Sequence, residues 1–262
     1  MIIHQIPVRN PLRNYVYLLA DEETKEALVI DPLAYQACLD AAKELGVKIK
    51  KVLNTHEHHD HIGGNAKLIA ATGATLYAPE GANIPNVDKR FQVGEDILVG
   101  RYVLTVLDTP GHTMSHICLY YAGDKDTDDL PALFSGDTLF SAGVGNCYNG
   151  GDPEVLYKTV STVFSGFSRE TRLFPGHDYI ENNLRFTLDR EPNNQSAKKL
   201  LAQFANGLDA ESYITNLALE EKINVFMRLQ NKSIKQRLSE QGFNCNDDKS
   251  TFIALRALRD QW

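Results

Sequence analysis

The residues best equipped for chemistry stand together in one stretch, Asn54-Thr55-His56-Glu57-His58-His59-Asp60-His61-Ile62-Gly63-Gly64. Four histidines and an aspartate fall within positions 56–61. A lone loop histidine is usually solvated or satisfied by a hydrogen bond. A cluster this dense is electrostatically wasteful unless something cationic collects it. His56 and His58 lie two residues apart and can converge on one cation, while Asp60 and His61, a step further on, can face a second. The internal position and the interspersed acids exclude an affinity tag.

Ligands need a rigid support, and the flanking sequence supplies one. Lys48 to Leu53 reads as a buried strand and Asn65 to Ala71 as a helix with Gly73 past its end, so the histidines occupy a strand-to-helix turn. The same design recurs downstream. The strand-like run from Phe91 to Leu107, with Gly94 and Gly100 as turn signals, ends at Asp108-Thr109-Pro110-Gly111-His112, Leu133 to Gly136 ends at Asp137, and Leu173-Phe174-Pro175-Gly176 ends at His177. Taken singly, His112 could cap a turn, Asp137 could cap a helix and His177 could lie on the surface. Taken jointly, ligands at the carboxyl ends of successive strands share the sheet edge where layered α/β folds bind their ligands. His116 falls outside this set, because it lies near the start of the next strand, Ile117 to Tyr121, and a role behind the ligands or a structural one is expected for it.

The remaining elements follow the same signals. Tyr15 to Leu19 and Ala27 to Ile30 read as antiparallel strands joined by the charged turn 21–26, Tyr35 to Leu45 as a helix, and Thr75 to Ala78 as a short strand. The acidic stretch 123–129 is expected to be a solvated excursion. After His177 the composition shifts to amphipathic helical spacing over Asn182–Arg190, Gln195–Ala205, Ser233–Gln241 and Asp248–Arg259, which predicts a small helical domain.

Composition bounds the function. With 27 Lys and Arg against 34 Asp and Glu, the net charge is −7, so nucleic acid and anionic membrane surfaces are disfavoured partners. No apolar run approaches the ~20 residues of a membrane span, and the amino terminus lacks the pattern of a signal peptide, so a cytoplasmic protein is expected. Cys38, Cys118, Cys147 and Cys245 are scattered without a paired spacing, which suits reduced, packed thiols.

The string THEHHDHIGG resembles the T-H-x-H-x-D-H motif of the metallo-β-lactamase superfamily, and LDTPGHT, FSGDTLF and FPGHDY resemble its later ligand motifs in the same order. Within that superfamily the chain is most similar to the glyoxalase II, or hydroxyacylglutathione hydrolase, family over essentially its whole length. The resemblance implies an α/β fold, a four-layer αββα sandwich over residues 1–178 with a helical substrate-binding domain over 179–262. It implies two divalent ions per chain, zinc first, with iron or manganese compatible. His56, His58 and His112 would hold one ion, Asp60, His61 and His177 the other, and Asp137 would bridge them. Asp31, in the segment VIDP, would orient ligands from behind. Classical β-lactamases of the superfamily carry a cysteine where Asp137 stands, so antibiotic hydrolysis is disfavoured.

Two such ions lower the pKa of a bridging water toward ~7, which suits hydroxide attack on a thioester. Asp60 would help orient that nucleophile. The implied activity is hydrolysis of S-D-lactoylglutathione to glutathione and D-lactate, the second step of methylglyoxal detoxification, by a monomer. For the glutathione moiety the matching positions are Asn146, Tyr148, Tyr179, Arg256 and Arg259. Two depart from the family pattern: Asn146 stands where a lysine is usual, which removes a cation, and Arg259 where a lysine is common, which keeps the charge. The alternatives are a persulfide dioxygenase with one iron and fewer ligands, another thioesterase, an RNA-processing phosphodiesterase that would want a basic surface, and a silent protein that binds glutathione or metal. The intact ligand set and the helical tail favour the thioester hydrolase.

Overall fold

The computed structural model describes residues 1–92 and 94–262. Val93, inside the run 91–107 read as strand-like, lies outside the described residues. The chain forms two compact units, Met1–Asp108 with Ser115–Gly136, and Thr109–Met114 with Asp137–Trp262.

The first unit begins with β1 (Ile2–Pro7), β2 (Tyr15–Ala20) and β3 (Glu26–Ile30), an antiparallel meander. Helix α1 (Tyr35–Glu44) then leads to β4 (Lys48–Leu53), the one-turn helix α2 (His59–Ile62), α3 (Asn65–Thr72), β5 (Thr75–Pro79) and β6 (Lys89–Phe91). From β3 to β6 the neighbours run parallel, because each crossover carries the chain back to the same end of the sheet. Strand β2 reads YVYLLA and is buried throughout, as a strand covered on both faces must be. One face carries α1 and α3, whose Cys38, Ala41, Ala42 and Leu68 join Leu18, Val29, Val52 and Leu76 in one core. The other meets the antiparallel run β7 (Asp96–Val99), β8 (Tyr102–Asp108), β9 (Ile117–Tyr121) and β10 (Ala132–Gly136), with Phe134 edge-on to Tyr17 at 5.5 Å.

An ion pair between a buried carboxylate and a half-exposed arginine ties the two layers of this unit at their rim. Asp21, in the turn between β2 and β3, is fully buried and accepts from the Arg101 amide at 2.9 Å, its Nε at 3.0 Å and its Nη2 at 3.1 Å. The Arg101 guanidinium holds the Asp21 carboxyl well below the usual carboxylate range.

The second unit opens, after loop 109–114, with the small hairpin β11 (Leu139–Phe140) and β12 (Gly143–Val144). It continues through α4 (Pro153–Thr162), β13 (Arg172–Pro175), α5 (Ile180–Arg190), α6 (Gln195–Ala205), β14 (Thr215–Asn216) and α7 (Leu217–Ile223). A 3-10 turn (Val225–Met227), α8 (Lys232–Glu240) and α9 (Asp248–Arg259) complete it. The four expected C-terminal helices are α5, α6, α8 and α9. Asn194, Asn231 and Asp247 cap three of them through their side chains.

Where the elements differ from the sequence reading, the reasons are local. The run 91–107 divides into β6, β7 and β8 around the turns at Gly94 and Gly100. Helix α4 went unpredicted although Asp152 caps it and Pro153 starts it. Helix α7 is short and draws its order from packing in a core with Leu184, Leu200 and Ile223.

Helix α7 also buries a carboxyl. Glu220 is fully buried, and its Oε2 accepts from the Ala142 amide at 2.8 Å and from Asn224 Nδ2 at 3.0 Å. Burial outweighs these hydrogen bonds and pushes its pKa up to about 7. The fold therefore holds this proton more tightly than the unfolded chain does. Glu220 favours folding below its unfolded pKa, and that advantage is lost as pH rises through about 7. At ~1.4 kcal/mol per pH unit the loss is on the order of 3 kcal/mol. Denaturant titrations at pH 5 and pH 8 should show Glu220→Gln losing less stability than the parent across this interval, by on the order of 1–3 kcal/mol. Parallel pH dependences would show that Glu220 is ionised throughout.

Candidate metal centre

In the first unit the cluster forms where β3 and β4 end. Asp31 follows β3 with φ of 52°, and its amide donates to Leu53 O at 2.9 Å, so both strand ends meet at this residue. Its buried carboxylate organises the turn. Oδ1 accepts from the Thr55 amide at 2.8 Å, and Oδ2 accepts from the Thr55 hydroxyl at 2.7 Å and faces His61 Nδ1 at 2.9 Å.

These contacts fix which nitrogens can bind a cation. A hydroxyl has one proton, and that of Thr55 goes to Asp31, so at 3.0 Å Thr55 Oγ1 accepts from His56 Nδ1–H. The lone pair of His56 is then on Nε2. By the same logic His61 donates from Nδ1 to Asp31 and keeps its lone pair on Nε2. The rings gather tightly, with centroids 4.7 Å apart for His56 and His58 and 4.1 Å for His56 and His61. Asp31, His56 and His61 each bring a ligand atom within 4.8 Å of the others.

Asp60 lies beside His61, with 3.5 Å from its Oδ2 to His61 Nε2. Its orientation comes from a residue the sequence reading missed. Asn14, buried ahead of β2, donates from Nδ2 to Asp60 Oδ2 at 2.9 Å and to Asp60 O at 3.2 Å. The sequence signal for it is faint, a lone asparagine before an apolar strand. His116, set outside the ligand set, is fully buried and stacks on His56 at 5.0 Å. The glycine after the turn is a packing requirement, because a Cβ on Gly64 would sit 1.6 Å from Pro32 O.

The second unit gathers the other three expected ligands. Loop 109–114 is pinned by Thr138 Oγ1 donating to Thr109 O at 3.1 Å and by the Asp152 amide donating to Gly111 O at 2.9 Å. His112 donates from Nδ1 to Asn146 O at 2.6 Å, which again leaves the lone pair on Nε2. Asp137 Oδ2 stands 3.5 Å from His112 Nε2 and 3.1 Å from His177 Nε2, with all three side chains buried. Tyr179 stacks on the His177 ring at 5.0 Å, and Phe140 meets both edge-on.

Each unit therefore presents imidazole nitrogens turned toward a carboxylate. This mixed nitrogen and oxygen donor set fits zinc, iron or manganese.

The residues expected at the glutathione moiety fall in the second unit. Asn146 and Tyr148 are exposed, and the Tyr148 hydroxyl donates to Asp260 O at 3.1 Å. Tyr179 is half-buried. Arg259, half-buried on α9, places Nε and Nη2 on Asn183 Oδ1 at 3.2 Å and 3.1 Å. Arg256 differs, since it is only 4% exposed and its donors are turned inward. Burial pushes the neighbouring Cys147 thiol up to about 12, so it stays protonated and poorly nucleophilic.

Two family models match the chain: the metallo-beta-lactamase superfamily over residues 9–190 and the hydroxyacylglutathione hydrolase C-terminus over residues 178–262. A hydroxyacylglutathione hydrolase of Polaromonas sp. is 49% identical, and one of Nitrosococcus oceani is 47% identical, each over all of both chains. Among solved structures, ETHE1 from Myxococcus xanthus is similar with a TM-score of 0.68 and 25% identity, covering 99% of this chain and 98% of that one. The chain therefore belongs to the metallo-β-lactamase superfamily and, within it, to the hydroxyacylglutathione hydrolase family. The expected α/β fold of that superfamily, with a helical C-terminal region, is borne out.

Asp31 tests the hydrogen-bond logic. Asn at this position keeps the shape but replaces one acceptor with a donor, so the Thr55 amide on one oxygen and the Thr55 hydroxyl and His61 Nδ1–H on the other cannot all be received. Asp31→Asn should lower zinc affinity about 10- to 100-fold in competition with a chromophoric chelator, with unchanged circular dichroism. Parental affinity would mean that His61 is oriented by other contacts.

Proposed function

We propose that this chain hydrolyses S-D-lactoylglutathione to glutathione and D-lactate, the second step of methylglyoxal detoxification. The observation that carries this reading is the end-to-end likeness to two hydroxyacylglutathione hydrolases in a chain whose sequence carries each donor residue the likeness implies. Residues 1–178 serve as the catalytic part and 179–262 as the substrate-binding part. The C-terminal family match, starting at residue 178, supports that division.

In this reading His56, His58 and His112 would hold one divalent ion and Asp60, His61 and His177 a second, with Asp137 available to both. Ions held there would supply Lewis acidity and a water acidified toward neutral pH, and zinc is the first candidate. The chain's own residues do the positioning. Asn14 fixes one face of the Asp60 carboxylate, so Asp60 can orient the attacking oxygen with the remaining acceptor capacity. Thr55, Asp31 and Asn146 keep three imidazoles in the Nε2-coordinating form. A thiolate is a good leaving group near neutral pH, so no protein acid is needed.

Tyr148, Tyr179 and Asn146 flank the thiol carrier, and Arg259 is the cation for its carboxylate. The protein works as a monomer in the cytoplasm, with no nucleic-acid or membrane partner. No helix among the described residues is long and apolar enough to cross a membrane.

Steady-state hydrolysis of S-D-lactoylglutathione, with metal content measured on the same sample, tests the reading. Turnover with about two metals per chain is expected. Asp60→Asn with metal retained should lower kcat at least tenfold. A fully metallated protein without turnover would move the substrate elsewhere, and an Asp60→Asn variant at full rate would remove its orienting role.

A further inference from the structure

Glu57 stands between His56 and His58, two imidazoles expected on one cation, and its carboxylate is engaged. Ser115 donates its hydroxyl to Glu57 Oε2 at 2.5 Å. A hydroxyl-to-carboxylate bond of that length is charge-assisted and stronger than a neutral one.

This contact is the outermost of three between the histidine turn and the segment entering β9. Innermost, the Ile117 amide donates to Thr55 O at 3.0 Å. Next, the buried His116 ring stacks on the buried His56 ring, with centroids 5.0 Å apart and planes inclined by 28°. The half-buried Glu57 and Ser115 make the third. Residues 55, 56 and 57 thus meet 117, 116 and 115 in turn, the antiparallel order of two paired segments.

The turn on either side of Glu57 is already fixed. Before it, Thr55 is bound through its amide and its hydroxyl to Asp31. After it, His58 opens α2, its carbonyl accepting from the His61 amide at 2.9 Å. Glu57 is the joint between these two pieces. The His56 and His58 rings meet at 4.7 Å, so both project to one side of the chain. In an extended segment the residue between two such side chains projects to the other. Holding Glu57 from there sets the spacing of the imidazoles without placing a group where the cation would lie.

We infer that Ser115 and Glu57 are a positioning pair for the metal centre: their hydrogen bond fastens the joint between His56 and His58 to the segment entering β9, and so sets the separation at which the two imidazoles meet a cation. This rests on the proposed roles of His56 and His58 as ligands.

The test is cobalt(II) and zinc(II) affinity of the metal-depleted full chain against a chromophoric chelator, with the visible spectrum of the cobalt form. Ser115→Ala should weaken binding on the order of tenfold, as loss of a hydrogen bond to a charged group does, and should alter the cobalt spectrum. Ser115→Thr, which keeps the hydroxyl, should restore both. Glu57→Ala also removes a negative charge near the cation, so the double variant isolates the hydrogen bond. In the Glu57→Ala background, Ser115→Ala should cost less than about twofold.

The inference is overturned if Ser115→Ala has parental affinity and spectrum, or if it costs as much in the Glu57→Ala background as in the parent. Should Ser115→Ala not fold, Glu57→Gln, which keeps the shape and trades a charged acceptor for a neutral one, decides by the same readouts. Neither readout uses a substrate, so a parent that fails to hydrolyse the thioester leaves the test intact. His56→Ala, run beside these variants, should lose far more affinity than any of them. Parental affinity in His56→Ala would remove the ligand reading and the inference with it, whereas parental affinity in Ser115→Ala beside a weakened His56→Ala would overturn the inference alone.

Discussion

An imidazole with both nitrogens out of water can serve a metal with one of them only if the other is held. That constraint shapes much of this chain. Thr55 Oγ1 holds His56 Nδ1, Asp31 Oδ2 holds His61 Nδ1, and Asn146 O holds His112 Nδ1, at 3.0, 2.9 and 2.6 Å. Each anchor is fixed in turn. Asp31 sits where the ends of β3 and β4 are joined by a main-chain hydrogen bond, and Thr55 O accepts from the Ile117 amide at the start of β9. The buried sheet fixes the strands, the strands fix the anchors, and the anchors decide which nitrogen faces the cation.

The cost of collecting this much polarity is borne by dense apolar packing around it. Strands β2 and β3 are almost wholly buried, and β10 is buried from end to end. The second unit uses a different device. Its helices are short, and asparagine or aspartate caps satisfy amides that would otherwise be left over. Glu220 and Asn224 reach from that helical layer to the β11–β12 hairpin, where Asn224 Nδ2 also donates to Gly143 O at 3.0 Å. Ala142 at that turn adopts φ of 59°, a conformation an alanine keeps only when neighbours impose it. The hairpin leads directly into loop 144–146, so packing of the helices and geometry at His112 are parts of one arrangement.

Much of the site was legible in the sequence because its ligands lie at strand ends, and strand ends are local features. The turn 54–64, Asp137 and His177 could be read from a few flanking residues each. Asn14 was not legible, because its partner Asp60 is 46 positions away and only the fold brings them together. Arg256 was legible as a charge but not as a buried one. Its reach to Val144, 112 residues earlier, depends on where α9 lies in the second unit. His116 was read as structural from its place before β9, yet its stacking on His56 needed the bend at Gly136, whose Cβ would lie 2.7 Å from His116 Nε2. The split of the run 91–107 into separate strands follows Gly94 and Gly100, turn signals legible in the sequence.

The central claim is the proposed two-ion ligand set. The most direct measurement is anomalous diffraction from crystals of the metal-loaded protein, recorded on either side of the metal's absorption edge. Two peaks of similar height are expected, one beside His56, His58 and His112, the other beside Asp60, His61 and His177, with Asp137 near both. A single peak, or a second peak away from Asp60, His61 and His177, would contradict it.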